Sequence, residues 1–379
     1  MRIGLGCTTI EPTFTQGKLD GIGFYTKHLL DEMMQLHQSV TPYIFPPLKR
    51  WRMASTLPQG KTLLPYIAAT SLSLCLPMLP VHAAIEKNID VFHSTDYLVP
   101  KFKKTPVVAT LNDAVMLMHP EWYYRSRLSA LKNAIRKANI QWADHVIAIS
   151  ESVKKEIIEF WRVKEEKISV VYDGIDAWWF EKASIEDKHA IREKYHLPEN
   201  FILVVGTLQP RKNISRIIEA FLTLPADIRE HTPLVIVGKA GWSVDASLTA
   251  IAKLIASGTG YWLQYLPNDD VRTLFQAARL HLHPSLHEGF GFTILQAYAS
   301  ETPLITSNIT AMPEIAGDAA MLVDPYSPEE IKQAILKIIT SPALSQELIE
   351  KGKRRVKDFS WEKCARETLA VYGKSHISY

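Results

Sequence analysis

Cysteine is scarce in this chain. Cys7, Cys75 and Cys364 are scattered over 379 residues, with no metal-ligand spacing and no even set for a disulfide framework. That excludes a small disulfide scaffold and a zinc-ribbon module, and it fits a reducing compartment. An excess of one charge sign is also missing, since 43 Lys and Arg face 40 Asp and Glu. With 47% hydrophobic and 22% charged residues, the composition is that of a folded globular protein, not a disordered or fibrous one. No secretory leader is read at the start, where residues 1–6 run as a buried strand into a turn. Helix-turn-helix, zinc-finger and aromatic-basic RNA patterns are absent, so nucleic acid is not an expected partner. Long uncharged runs are few. The one from 63 to 85 has the length of a membrane span, but Pro65, Pro77 and Pro80 would break the hydrogen-bond ladder that lipid demands. It reads as a core or groove-lining helix near 66–76 and then a Pro-rich turn, with contact at a membrane face as the alternative.

What is present points to two domains. Short apolar runs at 2–7, 90–93, 107–111, 145–149 and 168–171 alternate with helical patterns near 21–37, 126–142 and 151–161. Ser150 is placed to cap the last of these. After a polar segment around 183–199 the alternation restarts. Strands are expected at 201–205, 234–237, 261–263, 280–283, 302–306 and 321–323, and helices near 213–222, 245–256, 269–278, 291–300, 312–316 and 328–340. Strands apolar on both faces, separated by helices, mean parallel sheets covered on both sides. The fold class is therefore α/β with two doubly wound Rossmann-like domains. Such sheets bind ligands beyond the carboxyl ends of their strands, and the expected site is a cleft between the domains.

Three stretches at strand ends carry chemistry. Gly17, Gly21 and Gly23 precede a helix, where free backbone amides suit an anion. Gly21-Ile22-Gly23 lacks the third glycine of a dinucleotide fingerprint. In the second half, the strand 201–205 leads through Gly206 and Thr207 to Arg211 and Lys212, adjacent cations before a helix that suit a diphosphate. A Walker glycine-lysine loop is lacking. Glu288 then stands before Gly289, Phe290 and Gly291 at a helix start. Glu288 can accept hydrogen bonds from hydroxyls, and Gln296 lies about two turns further on the same helix face.

The order of these motifs resembles that of the nucleotide-sugar glycosyltransferases of GT-B fold, within them the retaining family 4, and in detail bacterial polysaccharide mannosyltransferases. Gly21-Ile22-Gly23, Val91-Phe92-His93-Ser94, Asn112-Asp113, Ile149-Ser150-Glu151, Arg211-Lys212-Asn213, Glu288-Gly289-Phe290-Gly291 and Pro313-Glu314-Ile315 carry the likeness along nearly the whole chain. The resemblance implies an acceptor-binding domain over 1–185, a nucleotide-sugar domain over 186–358, and a helix over 359–379 that crosses back to the first. It implies that Arg211 and Lys212 hold the donor diphosphate, that Glu288 and the amides of 289–291 hold the donor sugar, and that backbone near Leu266 meets the base. Two departures stand out. The family usually places a second glutamate where this chain has Gln296, and often His-Asp where it has Asn112-Asp113. Asparagine donates a hydrogen bond but does not titrate near neutrality.

The expected reaction is transfer of a hexose with retention, mannose from GDP-mannose first and a UDP-hexose second. No Asp-x-Asp metal bridge is read, so no metal and no cofactor are expected, and Asp269-Asp270 reads as a helix start. No carboxylate nucleophile stands out, which favours same-face attack over a double displacement. The alternative is a nucleotide-sugar-binding protein with impaired turnover. Residues 1–137 carry 16 basic against 9 acidic side chains, and Lys49, Arg50, Arg52 and Lys61 lead into the uncharged 63–85 run. Lys101, Lys103, Lys104, Arg125, Arg127 and Lys132 follow it. The expectation is a cytoplasmic enzyme, peripheral on the inner membrane face, taking a glycan or lipid-linked glycan acceptor.

Overall fold

The computed structural model of the protein describes residues 1–15, 19–50, 53–63, 85–123 and 127–376. The helix expected near 66–76 and the Pro-rich turn after it lie outside them, as do Gly17, Arg52, Cys75 and Arg125. Two units divide the chain. One comprises Met1–Gly174 and the C-terminal segment from Ser360, the other Ile175–Phe359.

The first unit is built on a seven-stranded parallel sheet in the order β3-β2-β1-β4-β5-β6-β7. Its strands are β1 (Arg2–Gly6), β2 (Ser39–Ile44), β3 (Lys61–Thr62), β4 (Val91–Ser94), β5 (Val107–Leu111), β6 (His145–Ala148) and β7 (Ile168–Val170). The order reverses between β1 and β4. Two strands, β2 and the edge strand β3, were not expected, and β2 contains Pro42, which has no N–H to give to a ladder. Tyr43 gives its carbonyl to Cys7 on the β1 side, so the alternating pleat turns Pro42 toward β3. The β3 pairing begins only at Tyr43↔Lys61, so Pro42 lies beyond it and no ladder bond is lost. The helix Gly21–Gln35 packs beside the C-terminal helix Trp361–His376, with the His28 and Trp361 rings stacked 4.7 Å apart.

A six-stranded parallel sheet in the order β10-β9-β8-β11-β12-β13 forms the centre of the second unit. The strands are β8 (Ile202–Val205), β9 (Leu234–Val237), β10 (Gly260–Leu263), β11 (Leu280–His283), β12 (Leu304–Ser307) and β13 (Met321–Val323). Here the reversal falls between β8 and β11. Ile214, Ile217, Ile218 and Phe221 of the helix Ile214–Leu222 are buried in its core.

The segment 183–199, expected to separate the domains, instead contains the helix Ile185–Lys194 of the second unit. Ser184 and Asp187 cap it reciprocally at 2.9 Å, and Lys194 bonds Asp270 at 2.6 Å. The units therefore part at Gly174, ahead of the expected 185. Only Ile191 of this helix is buried, which is why it reads as polar chain. Helices Ala226–His231 and Pro342–Arg355 were also unexpected. Asp269 and Asp270 do open a helix, Asn268–Ala277. No described helix is long and apolar enough to cross a membrane.

Candidate active site

The reversal between β8 and β11 puts two loops side by side. β8 is followed by Gly206, whose φ of +146° excludes an ordinary side chain and where an added Cβ would lie 3.3 Å from Lys212 Cε. The chain then makes a 3-10 turn over Pro210–Lys212 and reaches Asn213 in the left-handed conformation, φ +60°. Asn213 Nδ2 donates to the carbonyls of Pro284 at 3.0 Å and Pro325 at 2.7 Å. One buried amide thus ties the loops after β8, β11 and β13. Leu286 N–H closes on the Arg211 carbonyl at 2.7 Å.

Glu288 is the centre of the cluster. Its carboxylate is buried, with its side chain 8% exposed, and accepts from Lys212 Nζ at 2.6 Å and from Arg211 Nη1. Arg211 also donates from Nε to Gln209 Oε1 at 2.9 Å and from Nη1 to the His287 carbonyl at 3.3 Å. Burial pushes the Glu288 carboxyl up, but Arg211 and Lys212 outweigh it and hold the group well below the usual carboxylate range. Burial draws Lys212 down, with Glu288 opposing. The Glu288 contact is the stronger guide, and both groups are charged near neutrality. His283, whose Nε2 is 3.5 Å from Glu288 Oε1, is held neutral by burial and then by Lys212. The cluster carries two cations against one carboxylate, a net positive site on a sheet edge.

Gly291, with φ +95°, precedes the helix Phe292–Ala299, which has no side-chain cap at its N-terminus. The ring of Phe290, whose amide is expected to meet donor, is a core side chain packed against Phe292 and Phe359. Apolar area wins over proximity to the motif. Gln296 is half-buried on the helix, and Thr207 stands half-buried between Gly206 and Leu208. Leu266 is buried just beyond β10. Gly206, Arg211, Lys212 and Glu288 are thus brought together. Gly21, Gly23, Asn112 and Asp113 belong to the other unit.

There, the expected anion-facing glycine loop is corrected. Gly21 and Gly23 lie in the first turn of their helix, and Asp20 takes the Gly23 N–H at 2.9 Å. A carboxylate cap repels an anion and uses up that amide. Asn112 follows β5, and its buried Nδ2 has no partner among the described residues. Asp113 holds its own loop: Oδ1 accepts from Val115 N–H at 3.2 Å, and its carbonyl accepts from Trp161 Nε1 at 3.1 Å. Sequence reasoning missed Glu11, which is buried and accepts from Ser55 Oγ at 2.8 Å as well as from Thr13 and Thr56. It also missed the buried chain in which His93 meets Tyr372 Oη at 2.6 Å and Thr110 Oγ1 at 2.8 Å. Nothing in local pattern signals either; Asn213 alone had a signal, an asparagine at a turn before a helix. Among the described residues no three His, Cys, Asp or Glu side chains are grouped to hold a metal ion.

Residues 19–179 match the family model Glycosyltransferase Family 4, and residues 186–355 match Glycosyl transferases group 1. The chain is 27% identical over 283 residues to the O-antigen chain mannosyltransferase B of Escherichia coli, 74% of each chain. It is 28% identical over 279 residues to the serotype-specific mannosyltransferase WbdA of Escherichia coli, covering 71% of this chain and 33% of WbdA. Among solved structures, WaaG, a glycosyltransferase involved in lipopolysaccharide biosynthesis, aligns with a TM-score of 0.73 over 98% of this chain and 99% of its own at 16% identity, a likeness of fold.

Proposed function

The chain belongs to the group 1 glycosyltransferases of GT-B fold, and from that premise we propose that it transfers a hexose from a nucleotide diphosphate to a glycan hydroxyl with retention. The observation that carries the reading is the net positive Arg211–Glu288–Lys212 cluster at the β8–β11 reversal. A leaving diphosphate gains charge as the glycosidic bond breaks, and fixed cations on a buried edge stabilise that charge without reorganising. Arg211 and Lys212 hold the diphosphate, with Gly206 and Thr207 shaping the loop beneath it. Glu288 sets their geometry and accepts from donor-sugar hydroxyls, assisted by the amides of Gly289 and Gly291. Gln296 meets the ribose, and backbone near Leu266 the base. Asn112 donates to the reacting sugar through its unpartnered Nδ2.

In this reading the bond from C1 to the β-phosphate oxygen breaks while the acceptor oxygen bonds C1 on the same face. The acceptor proton passes to the departing phosphate, so no metal and no cofactor are needed. Mannose from GDP-mannose is the favoured donor, because the relatives at 27% and 28% identity are mannosyltransferases of O-antigen and serotype polysaccharides. The acceptor is then a surface-polysaccharide glycan, lipid-linked and met at the inner membrane face by the basic first unit. Turnover of a nucleotide-sugar panel, with the product anomer read by NMR, tests the donor. Turnover with UDP-hexoses alone moves the donor. Donor binding without turnover on any glycan leaves a binding protein. Flotation with anionic vesicles at low and high salt tests the membrane contact, which fails if none bind at low salt.

A further inference from the structure

Next to the cation cluster, the loop after β9 carries an indole that the mechanism above does not use. Gly238, with φ +154°, lets this loop leave the sheet, and a Cβ there would strike the Gly206 carbonyl at 2.0 Å. The parallel pairing of β8 and β9 is then prolonged past the strands. Leu208 N–H donates to the Lys239 carbonyl at 2.9 Å, and Gly241 N–H donates to the Leu208 carbonyl at 3.0 Å. Gly241 cannot be anything larger, since a Cβ would lie 2.4 Å from Leu208 O and 3.3 Å from Gln209 Cγ. From the other side, Trp262 Nε1 of β10 donates to the Gly238 carbonyl at 2.9 Å. The residue this backbone presents is Trp242, 40% exposed, followed by Ser243 at φ +53°.

A contiguous path runs from Arg211 through its partner Gln209 to Gly241 and so to Trp242. The exposed part of this ring is apolar surface on a backbone that the two glycines and the prolonged β8–β9 pairing hold in place. Direction is set by the sheet. On one side of β8 stands β11 with Glu288 and the glycine run, where the donor sugar is placed. On the other side stands β9, roughly 5 Å away across the ladder. A diphosphate held at Arg211 and Lys212 with its sugar toward β11 sends its nucleoside toward β9.

We propose that Trp242 is the stacking platform for the nucleobase of the donor. The proposal rests on the donor-site reading above. Every base has a π-face, so the platform contributes affinity to purine and pyrimidine nucleotides alike, with more for the larger purine ring.

Calorimetric titrations with GDP, UDP and inorganic pyrophosphate separate the two readings. Trp242→Ala is expected to weaken GDP about tenfold and UDP less, with pyrophosphate changed by under about twofold. Trp242→Phe keeps most of the affinity. Phe180→Ala, an exposed aromatic of the same unit remote in sequence from these loops, changes none of the three. GDP affinity within about twofold of wild type in Trp242→Ala overturns the platform and leaves the donor site standing. So does an equal loss for pyrophosphate, which makes Trp242 a support of the loop. Wild-type protein that binds none of the three ligands overturns the donor site itself.

Discussion

Each unit buries a carboxylate in its own way. Glu288 lies between two cations and is held ionised. Asp173, just past β7, is buried with no described partner for either oxygen, and burial pushes its carboxyl well above the usual range. Glu11 is a third case, buried among hydroxyls and an amide; burial raises it, but the bonds from Thr56 and Ser55 leave it lowered. The contrast extends to the strand edges. At β8–β11 the polar groups are ions. At β1–β4 they are hydroxyls, with the carboxylates of Glu11 and Asp96 further along the same loops: Thr95 Oγ1 donates to the Gly6 carbonyl at 2.6 Å, and Thr26 Oγ1 lies 2.8 Å from Thr95 Oγ1. One topology thus carries a carboxylate paired with two cations at one reversal and hydroxyls with carboxylates at the other.

The largest effect should come from the ionic edge. Arg211→Ala and Lys212→Ala should each cost about 2–4 kcal/mol in the barrier, roughly 30- to 1,000-fold in kcat/KM. Each leaves Glu288 one cation, so thermal unfolding should move little beside the rate. Turnover within about twofold of wild type in both variants would remove this edge from the chemistry.

Glu288→Gln should lower transfer at least about tenfold, because one of its two acceptor oxygens is replaced by a donor NH2 and both cations lose their counter-ion. Pyrophosphate should bind this variant more tightly, since the net charge of the cluster rises by one. Gln296→Glu should leave transfer unchanged or improve it. Equal large losses from the two changes in a steady-state comparison would contradict the roles assigned to this pair.

Legibility followed the physics of burial. Strands covered on both faces appear as apolar runs, so 107–111, 234–237 and 280–283 have the same bounds in sequence and structure, and so does the apolar edge strand 321–323 although Leu322 is exposed. Strand β2 and the edge strand β3 carry Pro42 and Lys61 and lack that signature. Helix Pro342–Arg355 buries only Ser345, Leu348 and Gly352, too little for an apolar stripe. Both halves of the site were visible as motifs, but their pairing was not, because 76 residues separate Lys212 from Glu288 and only the sheet order joins them. The Phe290 ring goes to the core, which its place in the motif does not announce. Asp173 precedes a glycine and reads as a turn; nothing local says that it is buried alone.

The loops of the ionic edge also depend on one neutral brace. Asn213→Ala removes the donor shared by the Pro284 and Pro325 carbonyls and places alanine at φ +60°. A loss of about 1–3 kcal/mol in chemical unfolding is expected. A smaller change would mean that Leu286 and the strand pairing hold the loops without it.

The last effect, and the one that isolates the lone carboxylate, is that of Asp173→Asn. The folded pKa of Asp173 lies above the unfolded value of about 3.9, so the folded chain holds a proton that the unfolded chain gives up. The group adds nothing unfavourable below about pH 4. Above it, folding must retain that proton, and stability falls by about 1.4 kcal/mol per pH unit until the folded pKa is reached. Glu288 has the opposite sign: its contribution is present above the unfolded pKa and is lost as pH falls. Asparagine has no proton to retain, so the advantage of Asp173→Asn over wild type should widen from about pH 5 to about pH 7. Cys364 and the Tyr25 hydroxyl, both raised in part by the nearby Asp173, stay neutral across that window and do not blur it. A difference in unfolding free energy that stays flat over the window would mean that Asp173 is ionised in the folded protein, with solvent reaching a carboxylate that the packing encloses.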